Sequence, residues 1–204
     1  MQVFQTSLGA FETNCFWFEH AGKGYLVDPG DVAVRAFLPE IGSVDVVLLT
    51  HGHVDHVLGI AAVKERFPDC RVVLAKPDLG WYEKADLQAR MFGLKHVPQP
   101  VPDTLIDPPC EIDGIRVLAT PGHTPGGVSY FLADEGVCFS GDTLFAQGVG
   151  RTDFPGGSWN ELSRSIRDQL YTLPPSTVVY PGHGPETTIA DERRSNPFIS
   201  GKRP

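Results

Sequence analysis

Apolar residues fall along the chain in short runs broken by glycine, proline and aspartate. Val3 to Phe18 predicts one or two strands, strongest over Asn14–Phe18. The turn Gly22-Lys23-Gly24 returns the chain into a strand at Tyr25–Val27. A short helix is expected over Val32–Pro39. Val44–Leu49 is continuously apolar, the pattern of a buried strand. A helix over Ile60–Phe67, a strand over Arg71–Ala75 and a longer helix over Trp81–His96 follow. Residues 98–109 hold five prolines, which excludes a helix or a central strand. We take this stretch as a surface crossing between two halves of one domain. Strands are expected at Ile115–Ala119, at Val128–Leu132 and Val137–Phe139 joined through Asp134-Glu135-Gly136, and at Thr177–Tyr180. Ser158 caps a helix, with Glu161 three residues on completing a capping box. Trp159, Leu162, Ile166 and Leu170 share one face of that helix and predict core packing. A last helix is expected over Ile189–Ser195.

The polar residues at the ends of these strands change the picture. Val44–Leu49 runs into Thr50-His51-Gly52-His53-Val54-Asp55-His56. In an extended segment His51 and His53 point to the same face, while Asp55 and His56 open the following helix. One loop can thus serve two metals. A lone histidine carries no such reading by default: His96 is expected at the surface or a helix end, and His20 at a turn. Three histidines and an aspartate in a His-x-His-x-Asp-His frame do. Three further apolar strands each end within a few residues of a metal-competent side chain, at His123, Asp142 and His183, with glycines beside each. If the four strand ends share one rim, five histidines and two aspartates converge. Asp28 also stands at a strand end, either as a turn former or as the hydrogen-bond partner that a metal-bound histidine usually has.

Composition narrows the alternatives. A chain of 204 residues is expected to form one domain, residues 1–204, with a sizeable core. Its net charge of -8 argues against a general nucleic-acid surface. No stretch is apolar enough to span a bilayer, and the first residues lack the pattern of a signal peptide. A cytoplasmic location and a small-molecule partner are expected. Cys15, Cys70, Cys110 and Cys138 are widely spaced, with no C-x-x-C pair, and are expected to be buried thiols.

Thr50 to His56, Gly122-His123-Thr124-Pro125-Gly126, Gly141-Asp142-Thr143 and Gly182-His183 resemble, in order and spacing, the motifs of the metallo-β-lactamase superfamily. Gly141-Asp142-Thr143-Leu144-Phe145, Gly150-Arg151-Thr152-Asp153-Phe154 and the ending Asn196-Pro197-Phe198 resemble its glyoxalase II-like branch, in the short form without the C-terminal helical domain. The resemblance implies an α/β fold, an αββα sandwich with the metal site at one edge of the two sheets. It implies a first metal on His51, His53 and His123, and a second on Asp55, His56 and His183. Asp142 then bridges the two, together with a hydroxide. Zinc is the expected ion, with iron and manganese as alternatives. Asp55 and Asp142, with the metal-bridging hydroxide, are the expected catalytic groups. Two divalent ions less two aspartates and a hydroxide leave about one positive charge, suited to an anionic transition state. Such metals bring bound water to a pKa of about 7, and a thiolate leaves without a strong general acid. A thioester is therefore the expected substrate, S-lactoylglutathione first. Arg151 stands where the two-domain relatives carry a glutathione-binding lysine, and is the expected contact for an anionic substrate. The alternative is a structural arginine, paired with Asp153 or capping a loop carbonyl. Asp153 and Gly184-Pro185 depart from the glutathione-binding pattern, leaving other thioesters and esters open. Two rival readings are a persulfide dioxygenase, with one iron on positions matching His51, His123 and Asp142, and a non-catalytic metal-binding or regulatory protein.

Overall fold

The structure is a computed structural model describing residues 1–95 and 98–199. The expectation for His96, a surface position or helix end, lies outside the described residues. The chain divides into two compact units, Met1–Ile106 and Asp107–Pro204. The boundary falls inside the proline-rich crossing.

The first unit is built on a six-stranded sheet. Its strands, in spatial and chain order, are β1 (Val3–Leu8), β2 (Thr13–His20), β3 (Lys23–Val27), β4 (Val46–Leu48), β5 (Arg71–Ala75) and β6 (Thr104–Ile106). The first two pairings are antiparallel and the last three parallel. Parallel strands are covered on both faces and read as near-continuous apolar runs, which is the character of Val46-Val47-Leu48 and Val72-Val73-Leu74-Ala75. Leu26, Val47, Val72 and Leu74 pack with Val57, Ile60 and Val63 from the helices α2 (Val54–Val57) and α3 (Ile60–Arg66). These two follow α1 (Val34–Phe37) in the chain. The edge strand β6 was not anticipated inside the proline-rich stretch. It is short, and an edge strand tolerates flanking prolines because one side of its ladder is open.

The long helix expected over Trp81–His96 is instead two short ones, α4 (Leu79–Tyr82) and α5 (Ala85–Met91). What ends α5 is clear from its hydrogen bonds. Gly93 adopts a φ of +67°, its N–H donates to Arg90 O, and Leu94 N–H donates to Ala89 O. This pairing of donors and carbonyls is a glycine-terminated helix end. Its apolar contact, between Ala89 and Leu94, packs on Val54 and Leu58 beside α2.

The second unit carries β7 (Cys110–Ile112), β8 (Ile115–Ala119), β9 (Val128–Leu132), β10 (Val137–Gly141), β13 (Val178–Pro181) and β14 (Thr187–Thr188). They form a sheet of order β14-β13-β10-β9-β8-β7, parallel only between β10 and β13. The small hairpin of β11 (Leu144–Phe145) and β12 (Gly148–Val149) stands apart from this sheet. Two α-helices, α6 (Trp159–Asp168) and α7 (Ile189–Ser195), complete the unit. Ser158 Oγ accepts from Glu161 N–H at 3.3 Å, so the predicted cap forms, but the expected return bond of the capping box is replaced: Ser158 N–H donates to Gly122 O at 2.8 Å. Leu162, Ile166 and Leu170 join Phe131, Cys138 and Val179 in the core. Trp159 does not: it stays 43% exposed, because it occupies the first helical position at the open end of the apolar stripe. Each fully buried Leu or Ile here contributes about 1.5–3 kcal/mol.

All four cysteines are free thiols, three buried and Cys110 half-buried. Among the described residues no helix is long and apolar enough to cross a membrane.

Candidate metal centre

In the first unit β4 delivers the chain into the histidine loop, and β3 delivers Asp28 beside it. Asp28 is buried and adopts a φ of +48°. Its Oδ1 accepts from Thr50 N–H at 2.8 Å, and its Oδ2 accepts from the Thr50 hydroxyl at 2.6 Å. His56 Nδ1 lies 3.0 Å from the same Oδ2. A carboxylate only accepts, so His56 carries its proton on Nδ1 and turns a lone pair outward on Nε2. The Thr50 hydroxyl spends its proton on Asp28 and is then an acceptor for His51 Nδ1, 3.1 Å away. One carboxylate therefore fixes the tautomer of two imidazoles, one directly and one through Thr50. The second reading of Asp28 made from the sequence is the one its contacts match.

The remaining two side chains of the loop are held from other elements. The His53 ring meets Trp81 edge-on, with centroids 4.7 Å apart. Thr13, at the start of β2, donates to Asp55 Oδ2 at 3.3 Å. The loop backbone is anchored by Asp78, which accepts from Gly52 N–H at 2.8 Å. Gln88 of α5 accepts from Val54 N–H at 3.1 Å. Gly30 explains how tightly the loop sits: a Cβ there would lie 1.8 Å from Asp55 O. The rings of His51 and His56 are 4.0 Å apart, and those of His51 and His53 4.8 Å apart.

In the second unit three strand ends supply the candidate ligands, His123 after β8, Asp142 after β10 and His183 after β13. Asp142 Oδ2 lies 3.5 Å from His123 Nε2 and 3.5 Å from His183 Nε2. His123 Nδ1 lies 2.7 Å from Arg151 O, so a backbone carbonyl sets this tautomer too. Gly150 packs its α-carbon on the aspartate: a Cβ there would lie 1.8 Å from Asp142 O.

These contacts test whether the residues suit a cation. His51, His56 and His123 each face an oxygen through Nδ1, and so present Nε2 as the donor atom. Nε2–carboxylate separations of 3.5 Å occur twice in the second unit, and one of 3.6 Å lies between His56 and Asp55. A charge-assisted hydrogen bond is about 2.7–2.9 Å long. Two ligands about 2.0–2.1 Å from one tetrahedral ion lie about 3.4 Å apart. The observed spacings match the second case. All seven predicted ligands belong to groups of His and Asp side chains that could hold a metal ion. The donor set, imidazole and carboxylate, is that of a divalent cation.

The Arg151 side chain is engaged elsewhere. Its Nε and Nη2 donate to the two oxygens of Asp153 at 2.7 and 2.6 Å. Its guanidinium lies 4.2 Å from the centroid of Phe154. Arg151 holds the Asp153 carboxyl down at about 2, far below its ordinary value. The sequence singled out this side chain; it gave no signal for the carbonyl of the same residue, because every residue has one. Thr13 and Thr50 were also missed as partners, although Thr50 adjoins the first histidine.

Comparison with known proteins bears on this arrangement. The model of the metallo-β-lactamase superfamily matches residues 8–183. The hydroxyacylglutathione hydrolase GloC of Haemophilus influenzae is 38% identical over 204 residues, covering 95% of each chain. The crystal structure of TTHA1623 in a di-iron-bound form superposes with a TM-score of 0.89 at 38% identity, over 96% of this chain and 100% of that one. The BLEG-1 B3 metallo-β-lactamase gives 0.88 at 36% identity, over 98% and 100%.

Proposed function

Because the chain belongs to the metallo-β-lactamase superfamily, whose fold it shares, we propose that its two units are halves of one catalytic domain that hydrolyses a thioester, with S-lactoylglutathione the first candidate. His51, His53 and His123 hold one divalent cation, and Asp55, His56 and His183 a second. Asp142 is shared by both. Zinc is the first candidate ion, with iron and manganese as alternatives; the di-iron form of TTHA1623 supports an iron test. The observation that carries the reading is the donor set itself, with Nδ1 of His51, His56 and His123 each turned onto an oxygen. The similarity to GloC supports the substrate.

When bound, two such cations supply hydroxide near neutral pH and polarise the acyl carbonyl. The chain's own contribution is positional. Asp28 and Thr50 hold two imidazoles in one tautomer, Thr13 orients Asp55, and the Arg151 carbonyl orients His123. These links cost no reorganisation when substrate arrives, which is where preorganised sites gain. Arg151 is the group proposed to meet a substrate carboxylate, and it does so by giving up Asp153.

The test is elemental analysis of protein purified without added metal, with thioesterase and oxygen-uptake assays on the same sample. Two metals per chain and turnover of S-lactoylglutathione are expected. One iron per chain, with oxygen consumed on glutathione persulfide, replaces the hydrolase by the persulfide dioxygenase. Metal without turnover on either substrate leaves a metal-binding or regulatory protein.

A further inference from the structure

We propose that Glu192 and Asn196, on the last helix and just after it, are positioning residues for His123 and Asp142, acting through the β11–β12 hairpin; this rests on the metal reading above. Glu192 and Asn196 are both buried, one turn apart along α7. Glu192 Oε1 accepts from the Thr187 hydroxyl at 2.7 Å. Its Oε2 accepts from Gln147 N–H at 3.0 Å and from Asn196 Nδ2 at 2.7 Å. Asn196 Nδ2 also donates to Gly148 O at 3.0 Å. The pair thus grips one donor and one acceptor on consecutive residues, where the hairpin turn passes into β12.

That turn needs a grip. The hairpin has two residues in each strand, and so short a ladder is not stable alone. Gln147 sits at a φ of +58°, a conformation an L side chain rarely adopts. A carboxylate is also an expensive group to bury without full hydrogen bonding, so a helix that needed only to pack would carry an apolar residue here.

What the hairpin leads to is the ligand set. Three residues past Gly148 the chain reaches Arg151, whose carbonyl accepts from His123 Nδ1. Between them, Gly150 N–H donates to Thr143 O at 3.3 Å and the Gly150 α-carbon rests on the carbonyl of Asp142. A shift of the turn is therefore passed on to the partner of one ligand and the backbone of another. The Asn196-Pro197-Phe198 ending acquires a physical reason. Asn196 Oδ1 caps Phe198 N–H and Ile199 N–H at 3.0 and 3.2 Å, leaving Nδ2 for the hairpin and Glu192.

The alternative is that these residues only hold the last helix in place. Tyr171 separates the two, because its hydroxyl donates to Ile199 O at 2.8 Å. It thus ties down the same terminal segment without touching the turn. The experiment strips the full chain of metal and titrates zinc against a chromophoric chelator in Glu192→Gln, Asn196→Ala and Tyr171→Phe. Thermal melting of each apo form is measured alongside. Partners behind a metal ligand are worth about 10- to 100-fold in affinity. With one more link in the chain, the zinc dissociation constant is expected to rise about tenfold in the first two variants and to stay unchanged in Tyr171→Phe, even where its melting temperature falls as far. The Nδ1 proton resonance of His123 in the zinc-loaded protein should shift in the first two alone. Unchanged zinc affinity in Glu192→Gln, or equal losses in all three, overturns the proposal. Glu192→Gln decides if Asn196→Ala does not fold. Absence of zinc binding by the unaltered protein overturns the metal reading itself.

Discussion

Asp28→Asn is a near-isosteric change with two separable outcomes. The residue is 1% exposed, and its side chain accepts three hydrogen bonds, one on Oδ1 and two on Oδ2. Asparagine, like aspartate, tolerates the left-handed backbone at this position better than most residues with a side chain do. The substitution therefore tests the acceptors and the charge, with little backbone strain added. Its amide has one oxygen for three donors on two sides. If the oxygen takes the Oδ2 place, the new NH2 faces Thr50 N–H, and a buried backbone donor loses its partner. That costs about 1–3 kcal/mol, a fall of several degrees in melting temperature for a chain of this size. If the oxygen takes the Oδ1 place, the NH2 faces His56 Nδ1, which must then accept. The imidazole proton moves to Nε2 and the ligand is lost. Zinc affinity should drop about 10- to 100-fold, or about 1.4–2.7 kcal/mol. Thermal melting of the apo protein and chelator competition read the two outcomes separately. A variant with unaltered melting temperature and unaltered zinc affinity would refute the role given to Asp28.

Asp142→Ala should lose both metals and several orders of magnitude in activity, since this is the ligand assigned to both ions; full metal content by elemental analysis contradicts the bridging assignment. Arg151→Ala should raise KM about tenfold for a carboxylate-bearing thioester, the loss of one charge-assisted contact, with kcat unchanged and little effect on a neutral thioester. Equal effects on both substrates make Arg151 solely the partner of Asp153. The Asp153 carboxyl, held at about 2 chiefly by the Arg151 hydrogen bond, makes a contribution present above the ordinary aspartate value of about 3.9 and lost as pH falls through about 2; an NMR titration midpoint near 3.9 would mean that the pair is open in solution. Burial raises the Cys138 thiol to about 12 and, as the main cause, Cys70 to about 11, so a thiol reagent at pH 8 should modify half-buried Cys110 first. A fast phase that survives Cys110→Ala counts against this.

The candidate ligands were legible because each follows an apolar strand, and strands announce themselves by composition. All four of those strands lie inside their sheets, where both ladders and both faces reinforce the apolar signal. Edge strands lack that support, and β6 and β7 were missed among prolines. The helix split at Glu83-Lys84 was missed because the apolar spacing continues across it; only Gly93 marked an end. Trp159 was misplaced because helical spacing gives the face of a residue and not its position along the stripe. The partners behind the ligands were legible only when they were carboxylates at strand ends, as Asp28 is. A carbonyl such as that of Arg151 has no signature, and the joint grip of Glu192 and Asn196 depends on a turn whose place the sequence does not give.

The position of β4 and β10 within their sheets also sets how the protein opens. Each is hydrogen-bonded on both sides, β4 to β3 and β5, and β10 to β9 and β13. Fraying begins at edges, so the amides of these two strands exchange with solvent only when their whole sheet comes apart. His51, His53, Asp55 and His56 hang from the one and Asp142 from the other. These five candidate ligands are therefore tethered to the parts of their units that open last.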